Sequence, residues 1–190
     1  EYKKALNLAE QAFELAKKNA EANHPDISTS MYVLATLYAS RGDYGQAEPL
    51  YKQSLAMKER SLGANHLDVA ITLTQLASIY DMQGKLDASE PLYRRALSIQ
   101  EHNPKVDHLD LASTLNNLGY INKRRKQYAQ AESFYNRALI LRQKILGTNH
   151  HDVANSLNNL ASLHIAQKKY QVAENLYGRA LAIREKTPNV

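Results

Sequence analysis

The sequence predicts an all-α fold, a solenoid of antiparallel helix hairpins, and three observations carry that prediction. The dipeptides His24-Pro25, His66-Leu67, His108-Leu109 and His150-His151 recur every 42 residues without a gap. Each is followed by an acid, Asp26, Asp68, Asp110 or Asp152, and then by a Leu with a small residue behind it: Leu34-Ala35, Leu76-Ala77, Leu118-Gly119 or Leu160-Ala161. Within a unit the apolar residues fall at i, i+3, i+4 and i+7, as Met31, Leu34, Ala35 and Tyr38 do, which is one face of a helix. A unit of this kind buries its apolar face only against its neighbours, so the core grows one repeat at a time.

Residues 1–23 match a second helix only. Tyr2, Leu8, Phe13 and Asn23 stand 42 residues before Tyr44, Leu50, Leu55 and Asn65, and Ala5, Leu8, Ala9, Ala12, Phe13 and Ala16 share one helical face. The partner first helix is missing, so the chain is expected to be a segment of a longer protein that begins inside a repeat. Four repeats follow, 24–65, 66–107, 108–149 and 150–190, as one continuous solenoid domain.

In the first repeat, helix A is expected from Asn23-His24-Pro25-Asp26 to about Ser40. An Asn can cap free backbone N–H groups, and the acid lies in the positively polarised first turn. The same start signal recurs at Asn65/Asp68, Asp107/Asp110 and Asn149/Asp152. Arg41-Gly42-Asp43 reads as the turn, with Gly for a positive φ and Asp as the next cap. Helix B is then expected over Tyr44 to Leu62, with Ala47, Leu50, Tyr51, Ser54 and Leu55 inward and Gly63 closing it.

The second repeat keeps this pattern but meets Asn103-Pro104, so its helix B should stop early. The third and fourth place Asn122 and His164 in the core stripe where Tyr38 and Tyr80 stand before. No polar capping helix follows the last repeat, so its apolar face must be covered from outside or stay exposed.

Composition restricts function more than it assigns it. The chain has 190 residues and no cysteine, which removes disulfides, thiolate nucleophiles and cysteine metal sites and fits a reducing, cytoplasmic setting. No apolar run approaches the roughly 18 residues of a membrane span. No charged-then-apolar opening segment reads as a signal peptide. The net charge of +5 favours acidic partners mildly and lacks the clustered basic face of a nucleic-acid binder, so neither nucleic acid nor membrane is an expected partner. The recurring His residues lie too far apart to share an ion, and no nucleophile–base pair or phosphate loop can be assembled. No catalytic residue, metal or cofactor is expected.

With the hairpin in hand, Leu34-Ala35, Tyr38, Gly42, Tyr44, Ala47, Tyr51 and Ser54 resemble the tetratricopeptide repeat. The blocks at 24–63 and 149–186, with their HxD, LNNLA, AExLYxRALxI and LGxNH motifs, look like the longer 42-residue units of kinesin light chain and similar proteins. The resemblance covers 24–187 and, as a half unit, 1–23. No heptad segment of the kind that binds a motor heavy chain is present, so the resemblance is to the repeat class. It implies a right-handed superhelix with helices A lining a concave groove.

Helix-A residues off the core stripe then become the candidate ligand surface: Thr29, Tyr32, Val33, Thr36 and Ser40; Ile71, Thr74, Gln75, Ser78 and Met82; Ser113, Asn116, Asn117, Tyr120 and Arg124; Asn155, Asn158, Asn159, Ser162 and Ala166. Almost none is charged, and amides both donate and accept, which suits an extended peptide main chain. In the related cargo-binding proteins the second Asn of LNNL contacts peptide, so the resemblance puts that role on Asn117 and Asn159. Gln75 partly keeps it, and Val33 departs from it. Asn116 and Asn158 would assist, Tyr32, Ile71, Met82 and Tyr120 would make apolar contacts, and Arg124 would anchor an acid. Two plainer readings stand beside these: the amides bond neighbouring helices, and Lys123-Arg124-Arg125-Lys126 is a solvated turn.

The expected function is a non-enzymatic adaptor or scaffold that binds an extended, acidic peptide segment of a partner. The alternatives are end-to-end homo-association through uncapped ends, and a regulatory repeat domain of a larger enzyme.

Overall fold

A computed structural model describes residues 2–19 and 24–186. Among the described residues all regular structure is helical: α1 Tyr2–Asn19, α2 Pro25–Ser40, α3 Tyr44–Leu62, α4 Leu67–Met82, α5 Leu86–Glu101, α6 His108–Arg124, α7 Tyr128–Leu146, α8 His151–Ala166 and α9 Tyr170–Lys186. They form two compact units, residues 1–103 and 104–190. In the first, α2 pairs with α3 and α4 with α5 as hairpins, α1 packs on α2, and α3 on α4. The second has α6 paired with α7 and α8 with α9, with α7 on α8.

Each helix A starts on a side-chain cap, and the capping residue corrects the sequence expectation. The imidazoles of His24, His66 and His150 hold the cap position in extended backbone, and each Nδ1 accepts from the backbone N–H of Asp26 (3.3 Å), Asp68 (3.1 Å) or Asp152 (3.2 Å). Asn65 and Asn149 stand one residue too early to do this, and Asn23 lies outside the described residues. An Nδ1 that accepts in this way carries no proton, so the capping tautomer has its ring proton on Nε2. In the third repeat Asp107 caps instead, its Oδ1 accepting from Leu109 N at 2.7 Å, and His108 moves into the helix as its first residue.

Losing such a cap costs about 0.5–2 kcal/mol. A His66→Ala variant should therefore unfold earlier by that amount, while His66→Asn, which restores a short acceptor, should recover most of it; thermal unfolding of the pair checks this. Asp43 differs from expectation too. It occupies the cap position of α3 at φ −78°, ψ 59° without a side-chain cap bond, and instead faces Arg41 Nε at 3.4 Å.

The turn after each helix A has one geometry. The N–H groups of Asp43, Lys85, Gln127 and Lys169 donate to the carbonyls of Tyr38, Tyr80, Asn122 and His164 at 2.8–2.9 Å. This closure needs a left-handed residue between, supplied by Gly42 and Gly84 and then by Lys126 (φ 60°) and Lys168 (φ 62°). Because the carbonyl makes the bond, the side chain before the turn is free to change from Tyr to Asn to His. Helix α5 ends at Glu101, three residues shorter than α3 and α7, as Asn103-Pro104 require.

Tyrosines of the B helices anchor the core. Tyr51, Tyr93 and Tyr135 are all but fully buried. Tyr51 packs with Ala35, Ala47, Leu76 and Ile79, and Tyr135 packs with Ala131, Val153, Leu157 and Leu160. Such side chains contribute about 1.5–3 kcal/mol each by burial. The small residue of each Leu-small pair lets a ring of this kind approach the helix A backbone.

Candidate functional site

The A helices lie side by side within each unit, α2 beside α4 and α6 beside α8. All the off-stripe positions predicted from the sequence are exposed or half-buried, so they share a solvent-accessible face in each unit.

In the first unit that face is organised around Tyr32. Its ring meets Tyr51 edge-on at 5.6 Å, and the Lys58 ammonium lies 4.4 Å from its centroid. Thr36 Oγ1 donates to the Tyr32 carbonyl at 2.9 Å, so its lone pairs remain for the Tyr51 hydroxyl, also 2.9 Å away. Burial pushes the Tyr51 phenol up to about 12, so it stays a neutral donor. Lys58 is buried and donates to Thr72 Oγ1 at 3.0 Å, and Thr72 in turn donates to the Asp68 carbonyl. Burial holds Lys58 below the ordinary lysine value. Ile71 and Gln75 are half-buried on this face, and Met82 is 68% exposed.

In the second unit the amides pair. Asn159 Nδ2 donates to Asn116 Oδ1 at 2.6 Å across α8 and α6, which is the neighbouring-helix bond for these two residues. The bond leaves both Asn116 amide N–H groups, the second Asn159 N–H and the Asn159 carbonyl oxygen without a partner among the described residues, so donors and an acceptor remain on this pair. Asn117 and Asn158 are half-buried on the same face and do not join the pair. Arg124 Nη1 donates to the Tyr120 hydroxyl at 2.7 Å, and Lys123 Nζ to Ser162 Oγ at 3.0 Å. Both cations stand 5.7 Å from the centroid of the Tyr120 ring.

The structure thus gathers Asn116, Asn159, Tyr120 and Arg124 in one unit and Tyr32, Ile71, Gln75 and Met82 in the other. Sequence reasoning passed over Lys58; it placed Ser162 on the candidate face and Lys123 in the basic run but gave neither a contact of its own. Lys58 could have been noticed: it follows Tyr51 and Ser54 at helical spacing, which puts a cation on the inward face of α3.

His150, His151 and Asp152 bring ligating atoms within 4.8 Å of one another, but the His150 Nδ1 is engaged in capping α8 and His151 Nε2 lies 3.3 Å from the Asp152 carboxylate. Helix α9 exposes Tyr177 (43%) and Leu181 (57%), whereas Tyr135 and Leu139, 42 residues earlier, are covered. No described helix is long and apolar enough to cross a membrane.

Comparison with known proteins gives a consistent result. A family model described as tetratricopeptide repeat matches residues 1–60, 46–102 and 110–186. BtubC (BKLC) from P. vanneervenii has a similar solved structure, with 25% sequence identity and a TM-score of 0.84 over all of this chain and 75% of that one. A kinesin light chain-type protein of nearly identical TPR-like repeats from Podosopora anserina gives 23% identity and a TM-score of 0.79, over all of this chain and 90% of its own. At that identity the likeness shows the fold alone. MamA, in an RS-1 ArsTM double-mutant form, gives 13% identity and a TM-score of 0.69, over all of this chain and 88% of its own. No curated protein matches the chain in sequence.

Proposed function

The chain belongs to the tetratricopeptide repeat family, whose arrays generally act as protein-interaction scaffolds, and from that premise we propose that this one is a non-enzymatic module binding an extended, acidic peptide segment of a partner along the face of its A helices. The observation that carries the reading is the Asn116–Asn159 pair. Its bond fixes both side chains and leaves amide donors and a carbonyl acceptor, the groups that a peptide unit in an extended main chain needs. Asn117 is the adjacent amide with no partner among the described residues. In the first unit, taken by itself, Tyr32, Ile71 and Met82 offer apolar contact for peptide side chains. Acidity of the ligand follows from Lys123 and Arg124, which face hydroxyls and no carboxylate among the described residues. The absence of cysteine suits a reducing, cytoplasmic setting for such an adaptor.

A peptide array of acidic and aromatic-acidic sequences tests this, comparing the native chain with an Asn117→Ala/Asn159→Ala double variant of unchanged helicity. Two lost hydrogen bonds of about 0.5–1.5 kcal/mol each should weaken binding about tenfold. Binding that persists unchanged in the variant would move the site to the outer face or to the exposed side of α9.

A further inference from the structure

Several cations on the molecule have an obvious counter-ion. Lys52 pairs with Glu48, Arg94 with Glu90 and Arg95 with Glu59. Lys123 and Arg124 have none among the described residues. Lys123 is half-buried at the end of α6, and its only polar partner among the described residues is Ser162 Oγ, 3.0 Å away on α8. Arg124 likewise reaches only the Tyr120 hydroxyl there, at 2.7 Å. Two positive charges on consecutive residues therefore share one aromatic ring with no described carboxylate beside them.

The hydroxyls decide what such a site can take. A hydroxyl that accepts from a cation keeps its own proton to donate, and the cation polarises that proton into a stronger donor. Tyr120 and Ser162 are both in that state, so the cluster offers donors from an ammonium, a guanidinium, a phenol and a serine. Its ligand must be an anion with several acceptor oxygens. A carboxylate brings one charge and two oxygens. A phosphate monoester brings nearly two charges and three oxygens, which matches two uncompensated cations.

This arrangement is not a property of the repeat. The positions 42 residues from Lys123 hold Asp81 and Ile165, and those 42 residues from Arg124 hold Met82 and Ala166. From the uncompensated charges and the hydroxyl donors we infer that Lys123, Arg124, Tyr120 and Ser162 form a binding site for a phosphorylated side chain of the peptide partner. The inference rests on the peptide-binding reading above and names the modification that reading leaves open. Burial and then the Arg124 charge hold Lys123 below the ordinary lysine value, and an arriving dianion opposes both by stabilising the charged ammonium.

The test is an amide chemical-shift titration of the full chain with four probes: phosphoserine and glutamate, each with blocked termini, inorganic phosphate, and acetate. Shifts at Lys123, Arg124 and Ser162 should saturate with blocked phosphoserine at about tenfold lower concentration than with blocked glutamate, since the dianion meets both cations. Lys123→Gln should remove that preference, and Ser162→Ala, which keeps both charges, should weaken phosphoserine binding about threefold through one lost donor.

Equal responses to phosphoserine and glutamate would overturn the phosphate assignment while leaving an acidic-peptide site. A response to inorganic phosphate but not to blocked phosphoserine would make it a free-anion site and overturn the proposal. With no shift at these residues for any probe the cluster is not a binding site; the Asn117/Asn159 array result is read separately and still decides whether peptide binds.

Discussion

Gly119→Ala is expected to destabilise the chain by up to about 2 kcal/mol, although helix propensity alone favours Ala over Gly by about 0.8–1 kcal/mol at an interior helical position. A Cβ at residue 119 would sit 2.7 Å from both Cδ1 and Cε1 of Tyr135 and 3.0 Å from its Cγ. Those atoms belong to a ring that is 2% exposed and packed against Val153, Leu157 and Leu160, so they have nowhere to go. Overpacking of this kind costs about 1–3 kcal/mol, which outweighs the propensity gain.

The decisive check is a double-mutant cycle. In a Tyr135→Leu background, where the ring is gone, the same Gly119→Ala change should become stabilising by up to about 1 kcal/mol. Chemical unfolding of the four proteins measures this, and an effect of Gly119→Ala that is the same in both backgrounds would remove the ring as its cause.

Position 119 also separates what was legible in the sequence from what was not. The 42-residue spacing alone locates every Leu-small pair, so Ala35, Ala77, Gly119 and Ala161 align as equivalent small positions on the chain's own pattern. The helix ends were equally readable, because α2 and α3 end at Ser40 and Leu62 as the turn residues require. Register, however, says nothing about how neighbours share space. In the first repeat the Tyr51 hydroxyl bonds Thr36; in the third the equivalent of Thr36 is Tyr120, and Gly119 lies against the Tyr135 ring.

The same limit explains the caps and the site. Asn65 and Asn149 carry a strong statistical preference for capping, yet the imidazole one residue later stands at the cap position in the extended backbone from which its Nδ1 reaches the free N–H. On the candidate face, periodicity placed the amides and cations on one side of the helices. Which amide bonds which, and that Lys123 reaches Ser162 and not an acid, depends on distances between helices that spacing along the chain does not contain.

Lys58 separates charge from packing more sharply than any other residue. It is 7% exposed, its ammonium bonds the Thr72 hydroxyl, and no carboxylate among the described residues lies within ion-pair distance; the Asp68 charge gives only a weaker opposing attraction. Desolvation makes a buried cation of this kind destabilising relative to an apolar side chain of similar length, on the order of the 1–4 kcal/mol gained when a buried ion pair is replaced by apolar residues. Lys58→Met gives up the contact with the Tyr32 ring, about 0.5–2 kcal/mol, so a net gain of about 1 kcal/mol is expected at pH 7.

Lys58→Glu puts a shorter side chain of opposite charge in the same buried place, unpaired and near Asp68, and is expected to cost about 3–5 kcal/mol. The pH dependence carries its own sign. Burial lowers the Lys58 pKa in the native state below its ordinary 10.5, so between those two values the unfolded chain binds more protons than the native one. Stability from this group therefore rises with pH across that window, and its full cost is present below it.

Unfolding free energies measured at pH 7 and again near pH 10 should show the advantage of Lys58→Met shrinking as the native lysine sheds its proton. An advantage that is constant with pH would assign the cost to the shape of the side chain and not to its charge. A lysine held at such a cost keeps its ammonium 4.4 Å from the Tyr32 ring, so the Met variant should loosen that ring on the face proposed for peptide even as the fold gains stability.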